Sequence, residues 1–281
     1  MTLTPLGPII VTPLFPELHQ QLVQLLRGLP ADAWERPTTA PRWQVRDVAA
    51  HLLDTQIRAL AIGRDGVRPP APESPITDYK DLVAHLNRLN AEWVQAARRI
   101  GPKQLVQFLE IIGPQAAAYY DGLDPTAPAL FPVDWAGDRV SPNWFDLARE
   151  YTEQWHHQEQ IRDATGAPPL TARKWLYPVL DTSVRALPHA YRNVEAAPDV
   201  AVVLEITGEA GGVWSMLRRA SGWELFHGEA EHAAARISTD SDSAWRLFFH
   251  QVPLEEAERR VTITGDRLLG EPIFHARAVM V

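Results

Sequence analysis

The stretch Glu153–Gln160, which reads EQWHHQEQ, places a carboxylate three and four residues ahead of two adjacent imidazoles. It lies within a pattern of apolar residues that predicts a helix over 143–165. Residues three or four apart share one face of a helix, so Glu153 can act together with His156 or with His157. Carboxylates and imidazoles bind divalent metals, and the spacing alone leaves both histidines open as ligands.

A metal held by this helix needs a further ligand from another part of the chain, because two ligands are too few for a protein site. His51 is the leading candidate, since it lies on another predicted helix. A set of two histidines and one glutamate leaves positions for water or substrate, which is typical of a catalytic site. Zinc suits these ligands, and nickel, iron or cobalt would also bind them.

The same residues also fit a polar helix face in contact with water. The aromatic residues of this helix fall opposite Glu153 on a helical wheel, which would leave Glu153 and His157 solvated. Ile161 lies beside His157 and widens the apolar arc, as in an inner helix of a bundle. Periodicity alone favours the solvated face, and His51 alone is typical of a histidine at the edge of a core.

The composition excludes several classes of partner. A chain of 281 residues that is 46% apolar can form about two domains with buried cores. Its net charge of −8 provides no basic surface for nucleic acid or for an anionic membrane. The sequence has no apolar run that would cross a bilayer and no basic start of a secretory signal, so we predict a cytoplasmic protein. Because the chain has no cysteine, any thiol chemistry requires a thiol from outside.

Apolar residues at three- and four-residue steps predict helices through the first two thirds of the chain, with proline-rich loops between them. These helices cover 17–29, 45–63, 78–100, 103–120, 143–165 and 171–192. From residue 199 onward the pattern alternates with a period of two, which predicts strands. The strands, and one short helix at 241–250, cover 200–207, 213–219, 223–226, 235–239 and 261–265. GEAGG and ASG are predicted hairpin turns.

The two helical stretches with the candidate ligands are similar to a known family. RWQVRDVAAHLLDTQIRALAIGRDG (42–66) and REYTEQWHHQEQIRDATG (149–166) resemble the mycothiol-dependent maleylpyruvate isomerase-like family of DinB-like, metal-binding four-helix bundles. LEITGEAGGVWSMLRRASGWELF and TITGDRLLGEPIFHARAVMV resemble its C-terminal domain, which is similar to sterol carrier proteins. The resemblance implies an α+β fold, with a DinB-like four-helix bundle over 1–193 and a small α/β domain with a mainly antiparallel sheet over 200–281.

By position, the resemblance assigns the metal ligands to His51, Glu153 and His157, and it leaves His156 as a neighbour. It implies one divalent metal ion and a low-molecular-weight thiol such as mycothiol or bacillithiol. The substrate would be a small electrophile that is isomerised or receives the thiol. Asp54 and Gln158 are possible partners that orient the imidazoles. No arginine aligns with the catalytic arginines of the family, and the possible anion contacts are Arg46, Arg58, Arg162 and Arg219.

Two other functions fit the same residues. One is a metal-dependent hydrolase that uses bound water and needs no thiol. The other is a non-catalytic binding module, whose C-terminal half would offer an apolar pocket to a lipid-like ligand or a protein. Trp214, Trp223 and Trp245 fit such a pocket, although they fit an ordinary core better. Both a monomer and a homodimer are compatible with the sequence.

Overall fold

The structure is a computed structural model and describes residues 3–69, 71–72 and 74–278. It contains two compact units. The helical unit consists of Ile10–Phe131 and Pro142–Pro169, and the sheet unit consists of the residues up to Ile9, Pro132–Ser141 and the residues from Leu170 onward. The sequence predicts a division between 1–193 and 200–281, whereas the compact units place 170–193 with the sheet. The reason is packing, because the helices of this segment contact elements of the sheet unit.

The helical unit is built from the five long helices that the periodicity predicts. They are α1 (Phe15–Gly28), α2 (Val45–Arg58), α3 (Tyr79–Ala97), α4 (Pro102–Asp121) and α5 (Asn143–Thr165). A π-helical turn, Ala59–Arg64, continues α2 to the end of its predicted range. In the described part of the chain, no helix is both long and apolar enough to span a membrane.

The core of the helical unit forms where the apolar faces of these helices meet. α2 packs against α3, α4 and α5, and α1 packs against α4 and α5. Burial of these apolar side chains is the main favourable contribution to folding. The buried cluster includes Leu22, Leu26, Trp34, Val45, Val48, Leu52, Leu53, Leu105, Leu109 and Ile161.

α5 is an inner helix that carries many polar residues. It begins after Pro142 and ends at Gly166, whose φ of 70° is left-handed, as expected for a glycine at a helix C-terminus. Its buried polar residues are Glu150, Thr152, Gln154, His156, His157, Gln158, Glu159, Gln160 and Arg162. The alternative interpretation, a polar helix face in contact with water, is therefore wrong for His157. Buried polar groups need partners, so the side chains of α5 must find theirs within the protein.

α4 contains Gly113 and Pro114 in its interior. Pro114 has no N–H, so it cannot donate a hydrogen bond to the preceding turn of α4. The ring of His19, from α1, lies against Gly113, where an added Cβ would overlap it. Gln56 Nε2, from α2, lies 3.4 Å from His19 Nδ1. Burial lowers the pKa of His19 although the backbone of Leu109 raises it, so this ring packs as a neutral group.

The sheet unit contains a six-stranded sheet in the order β1-β4-β3-β2-β5-β6. β2 and β5 are parallel and the other neighbouring pairs are antiparallel, so the sheet is mainly antiparallel as predicted. The predicted turns GEAGG and ASG join β2 to β3 and β3 to β4. The strands are β1 (Thr4–Pro5), β2 (Ala201–Thr207), β3 (Gly212–Arg219), β4 (Gly222–His227), β5 (Ala233–Asp240) and β6 (Thr262–Gly265).

The helices of the sheet unit differ in part from the prediction. The single helix predicted over 171–192 is wrong, because a 3₁₀ turn divides the segment and Pro188 lies in the first turn of a second helix, a position that suits proline. The segment forms α6 (Arg173–Ser183), a 3₁₀ turn (Val184–Ala186) and α7 (Leu187–Ala190). The remaining helices are α8 (Ser241–Phe248), α9 (Leu254–Arg260), α10 (Arg267–Gly270) and two 3₁₀ turns (Asp134–Ala136 and Glu271–His275). Buried core positions include Trp214, Trp223 and Trp245.

Candidate metal centre

Two helices of the helical unit bring the three predicted ligands together. His51 lies on α2, whereas Glu153 and His157 lie one turn apart on α5, which packs against α2. Glu153 Oε1 is 3.2 Å from His51 Nε2 and 3.1 Å from His157 Nε2. One donor atom from each of the three residues lies within 4.8 Å of the other two. Among the described residues, no other set of three histidine or acidic side chains has donor atoms this close together.

The start of α2 fixes the position of His51. Gln44 and Asp47 form a reciprocal capping box, in which the side chain of each accepts a hydrogen bond from the backbone N–H of the other. The buried Asp47 also forms an ion pair with Arg98 of the following α3–α4 connection, with 2.9 Å between Arg98 Nη2 and Asp47 Oδ2. His51 follows one turn after Asp47, so the anchored first turn determines where its ring enters the bundle.

Burial and mutual contact set the charges of the three side chains. Burial lowers the pKa of His51 to about 4, although Glu153 raises it in part, so this imidazole is neutral and keeps a lone pair for a metal. Burial opposes the ionised form of Glu153, but His157 and His51 outweigh it and hold the Glu153 pKa well below its usual value. The Glu153 carboxylate likewise outweighs burial and raises the pKa of His157. The Glu153 carboxylate therefore favours the protonated form of His157.

A hydrogen bond on the far side of His157 determines which nitrogen faces the site. His157 Nδ1 lies 2.8 Å from Gln160 Oε1, and this amide oxygen can only accept, so Nδ1 carries a proton. His157 Nε2 therefore faces Glu153 and offers its lone pair once the second proton leaves. Metal-binding histidines usually have such a partner on the other ring nitrogen.

The two distances from Glu153 Oε1 to the histidine nitrogens fit a divalent cation. Ligands at about 2.0–2.1 Å from a tetrahedral zinc ion lie about 3.3 Å from one another. The two contacts of Glu153 Oε1, at 3.2 Å and 3.1 Å, are close to that value. The exposed fraction is 3% for the His51 side chain, 9% for His157 and 23% for Glu153, so the glutamate is the most accessible of the three. The arrangement can hold one metal ion and leave a position for a further ligand.

The other residues that the sequence suggests for the site are not among the converging donor groups. His156 is buried with its ring centroid 4.9 Å from that of His157, and it is not part of the converging donor group. Asp54 forms an ion pair with Arg58, and Gln158 donates to the backbone oxygen of Leu18, so the prediction that they orient the imidazoles finds no support in their contacts. The candidate anion contacts Arg46, Arg58, Arg162 and Arg219 all have acidic or carbonyl partners within the chain.

Sequence reasoning missed two residues at this site. Gln160 follows His157 by three residues on α5, and this helical spacing could have identified it. Trp43 lies in the loop before α2, with its ring centroid 4.9 Å from that of His51 and 6.0 Å from that of His157. A loop residue has no helical spacing to its contacts, so the sequence carries no comparable signal for Trp43.

Comparisons with known proteins identify the family of this chain. The family model described as the mycothiol maleylpyruvate isomerase N-terminal domain matches residues 15–162. A crystal structure of the mycothiol-dependent maleylpyruvate isomerase is similar, with a TM-score of 0.54, 12% identity, and coverage of 90% of this chain and 91% of that chain. A crystal structure of a histidine-to-alanine mutant of that isomerase is also similar, with a TM-score of 0.53, 13% identity and the same coverage of both chains. No curated protein matches. The family match covers more than half of the sequence, so the chain belongs to the mycothiol maleylpyruvate isomerase family.

Proposed function

We propose that this protein is a metal-dependent enzyme that uses a low-molecular-weight thiol, with His51, Glu153 and His157 as the metal ligands. Its reaction would be the transfer of the thiol to a small electrophile, or the isomerisation of that electrophile. The observation that carries this proposal is the convergence of three donor atoms within 4.8 Å of one another in a member of this family. Zinc is the favoured metal, and nickel, iron or cobalt would suit the same ligands.

A divalent cation at this position would supply the positive charge that lowers the pKa of a bound thiol or water. The chain's own residues prepare the site for it. Neutral His51 would offer its Nε2 atom to the metal, and ionised Glu153 would offer a carboxylate oxygen. The hydrogen bond to Gln160 orients the His157 ring so that its Nε2 atom faces Glu153. The chain has no cysteine, so the sulfur must come from a cofactor. The names of similar structures support mycothiol, and bacillithiol would serve the same chemistry.

The second candidate is a hydrolase that uses bound water. The donor set favours it, because two histidines and a glutamate also hold zinc in enzymes that activate water. The two proposals differ in whether turnover requires a thiol. In both, the protein would be a cytoplasmic enzyme, with the metal ligands in the helical unit and a sterol-carrier-like domain in the C-terminal part of the chain.

The test combines metal analysis with a substrate screen. Protein purified without an affinity tag should contain about one divalent ion per chain. A panel of small electrophiles is then incubated with the protein, with and without mycothiol, bacillithiol or a simple thiol. We expect turnover only when metal and thiol are both present. Turnover that needs metal but no thiol would favour the hydrolase, and a protein that takes up no divalent ion would refute both.

A further inference from the structure

Trp43 forms one side of the candidate metal centre. Its ring packs on His51 with 45° between the ring planes and on His157 with 36°, and the two imidazoles are 4.6 Å apart between centroids. These distances lie within the range of favourable aromatic contacts. The same indole also packs against the apolar core of the helical unit. Trp43 therefore connects the core to both candidate histidine ligands.

A strained turn holds Trp43 in this position. Arg42, the preceding residue, has a φ of 85°, which is unfavourable for a residue with a Cβ. Several hydrogen bonds stabilise the turn, and three of them involve the backbone of Trp43. The backbone N–H of Trp43 donates to Ala40 O at 3.0 Å, and the backbone N–H and hydroxyl of Thr38 donate to Trp43 O at 3.1 Å and 2.8 Å. Strain of this kind persists only where surrounding contacts enforce it, and it is concentrated at functional sites.

The two candidate histidines differ in how their rings are held. His157 donates from Nδ1 to Gln160, the kind of contact that orients metal-binding histidines. The Nδ1 atom of His51 is buried and has no hydrogen-bond partner among the residues that the structure describes. The orientation of His51 must therefore depend on its contact with Glu153 and on packing. The ring that packs against it from the loop is the indole of Trp43.

We infer that Trp43 is a positioning residue of the metal centre, which holds the imidazole of His51 by ring packing in place of a hydrogen bond. This inference rests on the proposed function, because it assigns Trp43 a role toward the metal. The strained turn at Arg42 would then contribute to the site, because it places the indole against both imidazoles.

The first test measures the binding of Co²⁺ by the full-length chain, with Trp43→Ala, Trp43→Leu and Trp43→Phe. Loss of a group that orients a ligand typically weakens metal binding about 10- to 100-fold, which we expect for the alanine and leucine variants, together with a changed Co²⁺ absorption spectrum. Phenylalanine keeps a ring against His51, so its affinity should stay close to that of the parent. Trp34→Phe, in the same core, is the control for packing and should not change affinity or spectrum.

Identical Co²⁺ affinity and spectrum in the parent and in a folded Trp43→Leu variant would overturn the inference. The leucine variant decides the question if the alanine variant does not fold, because it keeps an apolar side chain in the core.

The second test uses the metal-free protein, so it does not depend on metal binding. The ring protons of His51 and His157 lie close to the indole, and their NMR resonances should move in the Trp43→Leu variant, with those of His51 broadened by ring reorientation. His19, which contacts Gln56 and Gly113 instead, is the internal control. If the parent binds no metal, the proposed function fails and the His51 resonances alone decide the positioning role. Unchanged His51 resonances would overturn it.

Discussion

Each unit of the protein contains a shielded carboxylate in contact with histidine, but the two carboxylates have different partners. In the helical unit, Glu153 lies between the Nε2 atoms of His51 and His157. In the sheet unit, Asp181 of α6 accepts a hydrogen bond from the indole N–H of Trp214 at 3.0 Å. It also lies 3.4 Å from Arg185 Nη2 and 3.3 Å from His227 Nε2.

The difference explains why one carboxylate is a candidate metal ligand and the other is not. A guanidinium keeps its proton in proteins, so Arg185 is a permanent counter-ion for Asp181. Imidazoles can lose the proton that pairs with Glu153, and each then offers a lone pair to a cation. A carboxylate next to histidines can thus exchange protons for a metal, whereas a carboxylate next to arginine already has its charge compensated. The following predictions test this contrast.

The largest expected effect is the loss of metal binding in His157→Ala. This variant removes one of three protein ligands, and the remaining two should not retain a divalent ion through dialysis. Asp181→Asn should keep the full metal content, since that carboxylate is not a ligand. His156→Ala, which changes the neighbouring residue, should also keep it. Elemental analysis of the dialysed proteins measures the outcome, and retention of metal by His157→Ala with loss in His156→Ala would contradict the assignment.

Asp181→Asn should instead destabilise the protein by about 3 kcal/mol. Removing one partner of a buried ion pair leaves the other charge uncompensated, which typically costs about 3–5 kcal/mol. The exposed fraction is 6% for the Asp181 side chain and 13% for Arg185, so solvent screens this pair little. Denaturant unfolding gives the free energy. The control is Asp199→Asn, whose ion pair with Arg219 is 75% exposed on the aspartate side and should contribute about 0–1 kcal/mol. Equal losses in the two variants would argue against the role of burial.

Gln160→Leu should weaken metal binding about 10- to 100-fold without abolishing it. The substitution removes the acceptor that fixes the His157 ring, and loss of such a contact has effects of this size in metal sites. Gln158→Leu is the matched control on the same helix, because its amide donates to Leu18 O rather than to a ligand. Calorimetric titration with Zn²⁺ compares the two variants. Affinities that change equally would mean that α5 packing, not the His157 contact, is responsible.

Metal affinity should fall as the pH falls below the raised pKa of His157. The carboxylate of Glu153 favours protonated His157, and a cation must displace this proton before it can bind. Affinity therefore decreases by roughly tenfold for each pH unit while one proton is displaced. His51, with a pKa of about 4, stays neutral over this range and adds no further proton. Zn²⁺ titrations between about pH 5 and pH 8 measure the slope, and a pH-independent affinity would contradict the paired state of Glu153 and His157.

Much of the fold follows from the sequence, because the five long helices of the helical unit have clear apolar periodicity. The candidate ligands required more than spacing. Helical geometry left His156 and His157 equivalent, and the family resemblance was needed to choose between them. The residues of α5 indicate its burial only in part, since Ile161 widens the apolar arc, whereas a polar helix face indicates solvent unless neighbouring helices cover it. Trp43 was missed because its position depends on a turn with an unfavourable φ at Arg42, which no periodicity encodes.

The contact between His19 and Gly113 has an evolutionary consequence. Any side chain at position 113 would displace the imidazole that lies against it, and that imidazole also contacts Gln56 of α2. Positions 19 and 113 should therefore covary among relatives. A sequence that replaces the glycine should also carry a smaller residue in place of the histidine.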